Sequence, residues 1–110
     1  MPRVQNLTDL ELMLLLATLR VDEAYGVLIA REVERTAGRR VLMGAAYNAL
    51  DRLEKRGLVT STVGDPTPER GGRARRYFRV TPKGVESVKQ SRRVLEALWT
   101  GVPQLREERM

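Results

Sequence analysis

The stretch RGGRARRYFRVTPKG, residues 70–84, decides the fold of this chain. It sets five arginines (Arg70, Arg73, Arg75, Arg76 and Arg79) around the Gly71-Gly72 pair, runs through Tyr77-Phe78 and ends on Thr81-Pro82, a helix start. A glycine turn between two strand-like segments, tipped with guanidinium groups, has the form of a wing that lies along nucleic acid. The planar fork of arginine binds phosphate bidentately and fits a narrow, electronegative minor groove. On its own the commoner reading of such a stretch is a solvated basic hairpin, so its setting in the chain has to decide.

Immediately before it, 58–63 places Val59, Ser61 and Val63 on one face, a strand pattern. The loop GDPTPERGG follows, and a second strand is expected over 75–80. After it Thr81 caps and Pro82 begins a last helix. Its apolar positions Val85, Val88, Leu95, Leu98, Trp99 and Val102 recur at threes and fours, leaving Arg92, Arg93 and Glu96 to solvent. Gly101 and Pro103 end it.

Upstream, Thr8-Asp9-Leu10-Glu11 is a capping box, with Leu7 placed as a hydrophobic staple. The helix it opens runs to Arg20 and is apolar nearly all round, with Leu10, Leu12, Met13, Leu14, Leu15, Leu16 and Leu19. A protein this small cannot bury every face of such a helix in its own core, which points to a second subunit. A second helix over 25–37 repeats Ile29, Val33 and Ala37 at fours and stops at Gly38. A third, over 43–56, has Ala46, Leu50 and Leu53 as its buried stripe and Ala45, Asn48, Ala49 and Arg52 on the other side. Three helices, a hairpin and a helix make a mostly α fold with a small antiparallel β-hairpin: a winged helix-turn-helix over 1–81, a dimerisation helix over 82–103, and a charged tail over 104–110, expected to be flexible. In that fold the third helix enters the major groove and the hairpin lies along neighbouring backbone or minor groove.

Composition agrees. Among 110 residues there is neither cysteine nor histidine, which excludes disulfides and Cys/His metal sites and removes the commonest general base and nucleophile. No metal, cofactor or catalytic residue is expected. The net charge of +6 is uneven: −2 over 1–38, +9 over 39–93 and −1 over 94–110, the pattern of a polyanion-binding middle. The longest apolar run, 12–17, is far short of the ~20 residues a membrane helix needs. With no signal-peptide pattern, a soluble cytoplasmic protein without a membrane partner is expected.

The segments LTDLELMLLLATL, AYGVLIAREVE, GAAYNALDRLEKRGLV and GGRARRYFRVTPKG, in this order and spacing over residues 7–84, resemble the PadR-type transcriptional regulators, in a short form with a single C-terminal helix. The resemblance implies a homodimeric repressor that binds double-stranded DNA at an inverted-repeat operator. Its dimer surface is then the last helix against the first helix of a partner: Leu12, Leu15, Leu16, Val88, Leu95, Leu98, Trp99 and Val102. A small aromatic effector is a further partner the resemblance allows, with Trp99 as its contact. The chain departs from the family's usual hydroxyl-bearing start of the third helix, having Gly44, Ala45 and Ala46 there.

Within this frame Asn48 and Arg52, four apart, are the base-edge candidates, Asn suited to adenine and Arg to guanine, with Ala45 an apolar contact. A solvated helix face is the competing reading for each. Tyr47 matches the family's tyrosine near the start of that helix; it is either a phosphate donor or a half-buried core tyrosine. Arg39, Arg40, Lys55 and Arg56 flank the helix as phosphate partners, joined by Arg70, Arg73, Arg75 and Arg76 from the wing. Asp51 is expected to pair with Lys55, Arg79 is a structural candidate, and Tyr25-Gly26 reads as a packing site. The rival functional class is a protein-interaction module with only non-specific affinity for DNA.

Overall fold

A computed structural model describes residues 6–64 and 75–106. Thr8 caps the first helix, α1 (Asp9–Arg20), through the reciprocal capping box: its amide donates to Glu11 Oε1 at 2.8 Å, and the Glu11 amide donates to Thr8 Oγ1 at 3.1 Å. Helix α2 (Gly26–Ala37) ends on Gly38, whose φ of 69° is the left-handed conformation glycine adopts without strain. Helix α3 (Met43–Lys55) follows a short linker. Strands β1 (Val59–Val63) and β2 (Arg76–Val80) pair antiparallel from Val59↔Val80 to Val63↔Arg76, and α4 (Pro82–Trp99) leaves the sheet directly. Thr81 accepts from the Gly84 amide and Pro82 opens the first turn, as the sequence predicts. A single 3-10 turn, Pro103–Leu105, comes after α4. The mostly helical winged fold expected from the element order is borne out.

One core unites the three helices and the hairpin. Leu14 and Leu15 from α1, Ile29 and Val33 from α2, Ala46, Ala49, Leu50 and Leu53 from α3, and Leu58, Val59 and Phe78 from the hairpin are buried together. Two expectations are corrected here. Leu15, placed at the dimer surface, is fully buried inside its own protomer, because α1 lies under both α2 and α3 and the face carrying Leu14 and Leu15 is the one they cover. Ala49, placed on the outer side of α3, is also buried; it shares a face with Ala46 and Leu53, three behind and four ahead.

The hairpin is tied back to the helices. Tyr25 forms an isolated antiparallel bridge with Tyr77, and the Phe78 amide donates to the Ala24 carbonyl at 2.8 Å. The segment between α1 and α2 thereby acts as a short third strand. Gly84 lies against the Leu58 carbonyl so closely that a β-carbon there would overlap it, so only glycine lets α4 start where it does. The first half of α4 packs on this body through Gly84, Ser87 and Val88. Beyond residue 91 its side chains are exposed.

Candidate nucleic-acid interface

On α3 the residues outside the core divide into two stripes. Gly44, Ala45, Asn48, Arg52 and Lys55 are exposed, at threes and fours on the face opposite Ala46, Leu50 and Leu53. Tyr47, Asp51 and Glu54, also at fours and threes, are only partly exposed and flank the hairpin. The structure therefore brings all three base-edge candidates to one solvent face. Arg52 is not idle there: its Nε stands 3.5 Å from Oε2 of Glu11, a buried carboxylate of α1. Arg56 approaches the other oxygen of Glu11, also at 3.5 Å, and donates to the Asn6 carbonyl at 2.9 Å.

Tyr47 is half-buried, as the packing reading has it. Its ring packs on the core, and a β-carbon at Gly26 would stand 2.5 Å from its hydroxyl oxygen, so Gly26 is glycine to admit that ring. The same side chain lines an open cleft of about 450 Å³ with Tyr25, Val27, Arg31, Arg75 and Arg76. The Arg75 guanidinium stacks over the Tyr25 ring at 4.1 Å, and Tyr25 meets Tyr77 edge to face at 5.9 Å. Cation–π stacking holds the arginine's plane while leaving its N–H edges for other acceptors. A cleft with two phenols and cationic rims suits an anion.

The other expected phosphate partners fall into three groups. Arg39 and Arg40 are exposed between α2 and α3, and Lys55 is exposed at the end of α3; none of them makes an ion pair among the described residues. Arg76 is instead engaged by α3, donating to Asp51 Oδ1 at 2.8 Å and to Glu54. Asp51 thus takes Arg76 and not Lys55, since β2 delivers a guanidinium directly across from it. Arg70 and Arg73 lie outside the described residues. Arg79 is exposed on β2.

Sequence reading did not single out Arg31 or Glu11 for this face. Arg31 follows Val27 at helical spacing on the side of α2 away from Ile29 and Val33, a signal present in the sequence but shared by any solvated helix face. Glu11 was accounted for by its cap alone. Among the described residues no group of acidic, His or Cys side chains is disposed to hold a metal.

On the opposite side of α1, Leu12 and Leu16 form an apolar groove of about 400 Å³ with Val88, Leu95 and Trp99 of α4, edged by Lys89, Arg92 and Glu96. Val102 is half-buried past the helix end, and Leu98 is exposed. No helix among the described residues is long and apolar enough to cross a membrane.

The model of the PadR-like family of transcriptional regulators matches residues 15–90, from the core face of α1 through the wing and into α4. The chain belongs to that family. Over 79 residues it is 40% identical to the transcriptional regulator Rv3488 of Mycobacterium tuberculosis, an alignment spanning 70% of this chain and 67% of that protein. A PadR-like transcription factor from Bacteroides fragilis superposes with a TM-score of 0.69 at 26% identity, covering 81% of this chain and 82% of the other. A transcriptional regulator from Clostridium thermocellum has the same fold, with a TM-score of 0.72 at 23% identity over 89% and 90% of the two chains. PadR-family regulators of transcription are DNA-binding winged-helix proteins.

Proposed function

We propose that this PadR-family chain is a sequence-specific repressor that binds an inverted-repeat operator as a homodimer. The observation that carries this reading is the single exposed stripe of Ala45, Asn48 and Arg52 on α3, beside the cleft that Tyr47, Arg31 and Arg75 rim. Asn48 and Arg52 supply the donors and acceptors that discriminate adenine and guanine in the major groove. Ala45 and the neighbouring Gly44 let the helix backbone approach the bases. Tyr47, Arg31, Arg75, Arg39, Arg40, Lys55 and Arg56 fix the register on phosphate, with Arg70 and Arg73 extending that contact along the wing.

The apolar groove between α1 and α4 supports the dimer: Leu12, Leu16, Leu95 and Trp99 leave a hydrophobic strip, and Leu98 beyond it is exposed among the described residues. Two copies present two α3 stripes to half-sites about one helical turn, ~34–36 Å, apart. Trp99 borders this groove and is 60% exposed, so a flat aromatic effector that entered the seam would stack on it.

Selection of duplexes from a random pool, followed by titration of the selected and a scrambled sequence, tests the reading. A repressor of this kind enriches an inverted repeat and prefers it by roughly a thousandfold or more. Equal, micromolar, salt-sensitive affinity for both sequences would make the chain a protein-interaction module with generic phosphate attraction. Asn48→Ala should relax the base preference at one position of each half-site, whereas Arg39→Ala should weaken all sequences alike and lower the salt slope by about one. Quenching of the lone tryptophan by aromatic compounds reports an effector at the seam.

A further inference from the structure

Arg76 is an arginine in a basic wing, yet its surroundings differ from those of Arg75 and Arg79. In the register of the hairpin it lies opposite Val63, and it shares a face of β2 with Phe78, which is buried, and Val80. That face looks onto α3. Arg75, one residue earlier, turns the other way onto Tyr25. On α3 the flanking stripe presents Asp51 and Glu54, one turn apart, directly to Arg76.

All three guanidinium nitrogens are used. Nη1 donates to Asp51 Oδ1 at 2.8 Å, Nη2 to Glu54 Oε1, and Nε to Ser61 Oγ at 3.2 Å. Ser61 in turn donates to Glu54 Oε2 at 2.7 Å, closing a ring of contacts among β1, β2 and α3. The Arg76 plane also lies 4.8 Å over the Phe78 ring. The side chain is 33% exposed and its charge is spent on two carboxylates of the protein itself. Ser61 first, and Arg76 with it, hold the Glu54 carboxyl below the ordinary carboxylate value.

We propose that Arg76 is a positioning residue, a latch that fixes the angle of the wing to α3, and not a phosphate ligand. Two arguments converge on this. Arg76 is in the last register pair of the two strands, so its anchorage fixes that end of the hairpin against α3. It also offsets two acidic groups that would otherwise repel phosphate from the helix that reads the bases. Arginine suits the place because its rigid fork sets three separate nitrogens against three acceptors, whereas the three donors of a lysine ammonium sit on one nitrogen.

The idea deepens the DNA-binding reading and rests on it only in part, because the latch exists in the free protein. The test is a cycle of Arg76→Gln and Arg76→Lys, each made in the natural protein and in the D51N/E54Q background. Amide hydrogen exchange of the strands is followed without DNA, and affinity is measured for mixed-sequence duplex and for a pool-selected operator at several salt concentrations. A latch predicts that Arg76→Lys, Arg76→Gln and D51N/E54Q each speed exchange across β1 and β2. It also predicts that Arg76→Gln weakens operator binding roughly tenfold in the natural protein and almost not at all once Asp51 and Glu54 are gone. Equal losses in both backgrounds, with full affinity retained by Arg76→Lys, would make Arg76 a phosphate ligand and overturn the latch. Arg76→Lys keeps the charge and the stem, so the cycle is readable even if Arg76→Gln does not fold. Absence of DNA binding by the natural protein would sink the repressor reading alone, while unchanged strand exchange in the variants would sink the latch alone.

Discussion

Leu50 and Leu98 are both leucines on the apolar stripe of a helix, yet the first is fully buried and the second is 71% exposed. The difference separates two regions. In the body, α1, α2, α3, the hairpin and the start of α4 close one core, and the side chains that cross between elements are paired. In the second half of α4, Val94, Leu95, Leu98 and Trp99 are exposed, and the ion pairs described there, Arg92–Glu96 and Arg93–Glu86, lie within the helix itself. Such exposed pairs, screened by water, contribute little to stability. The body closes its own core, whereas the end of α4 leaves its apolar side chains exposed among the described residues, the surface that the proposed dimer would cover.

The largest expected effect lies in the body. Leu50→Ala should lower unfolding stability by about 2–5 kcal/mol, since a fully enclosed leucine leaves a cavity as well as losing its transfer energy. Denaturant titration reads it, and a loss below 1 kcal/mol would mean that the core is looser than its burial implies. Next comes Trp99→Ala, which should weaken self-association by roughly thirtyfold, as expected for an anchoring aromatic at an interface. Sedimentation at several concentrations measures it. If the variant melts lower while associating as before, the boundary between the two regions has been drawn in the wrong place.

Gly26→Ala probes the join between core and interface. Displacing the Tyr47 ring should cost about 1 kcal/mol of stability, a small overpacking penalty, and also reduce DNA affinity. A stability cost with unaltered DNA binding would confine Tyr47 to packing. The smallest effect is a pH dependence. Glu32, on α2 facing the end of α1, accepts from Arg20 at 2.6 Å, Thr36 at 2.7 Å and Arg35 at 2.8 Å. These contacts, Arg20 first, lower its pKa from 4.5 to about 2. A depressed carboxylate contributes stability above its ordinary value and loses it as pH falls through the folded one. The gap in melting temperature between the natural protein and Glu32→Gln should therefore be steady above pH 4.5 and close toward pH 2. A gap that persists at pH 2 would assign it to packing instead of charge.

The local signals were legible because their partners are close in sequence. The Thr8–Glu11 box, the Gly38 stop, the Thr81-Pro82 start and the alternation of β1 all involve residues within four positions of each other, where backbone geometry fixes the outcome. The exposed stripe of α3 was legible for the same reason, except at Ala49, whose small side chain is compatible with either face. The pairing of charges was not legible. Glu11 meets Arg52 forty-one positions away, and Arg76 reaches Asp51 across twenty-five. Sequence spacing suggested Lys55 for Asp51 because it measures only distance along one helix.

By itself, then, the sequence determined the order and kind of the elements, the basic character of the middle of the chain, and the resemblance to PadR-like winged-helix regulators. Periodicity and capping act through the nearest turns of the backbone and need no knowledge of the rest. Only the tertiary structure decided that Leu15 belongs to the protomer core, that Gly26 makes room for Tyr47, and that Arg75 stacks on Tyr25 while Arg76 pairs with Asp51 and Glu54. Those outcomes depend on which surfaces the packed helices bring within a few ångströms of one another. Burial and Coulomb attraction respond to distance in space, and the fold alone sets that distance.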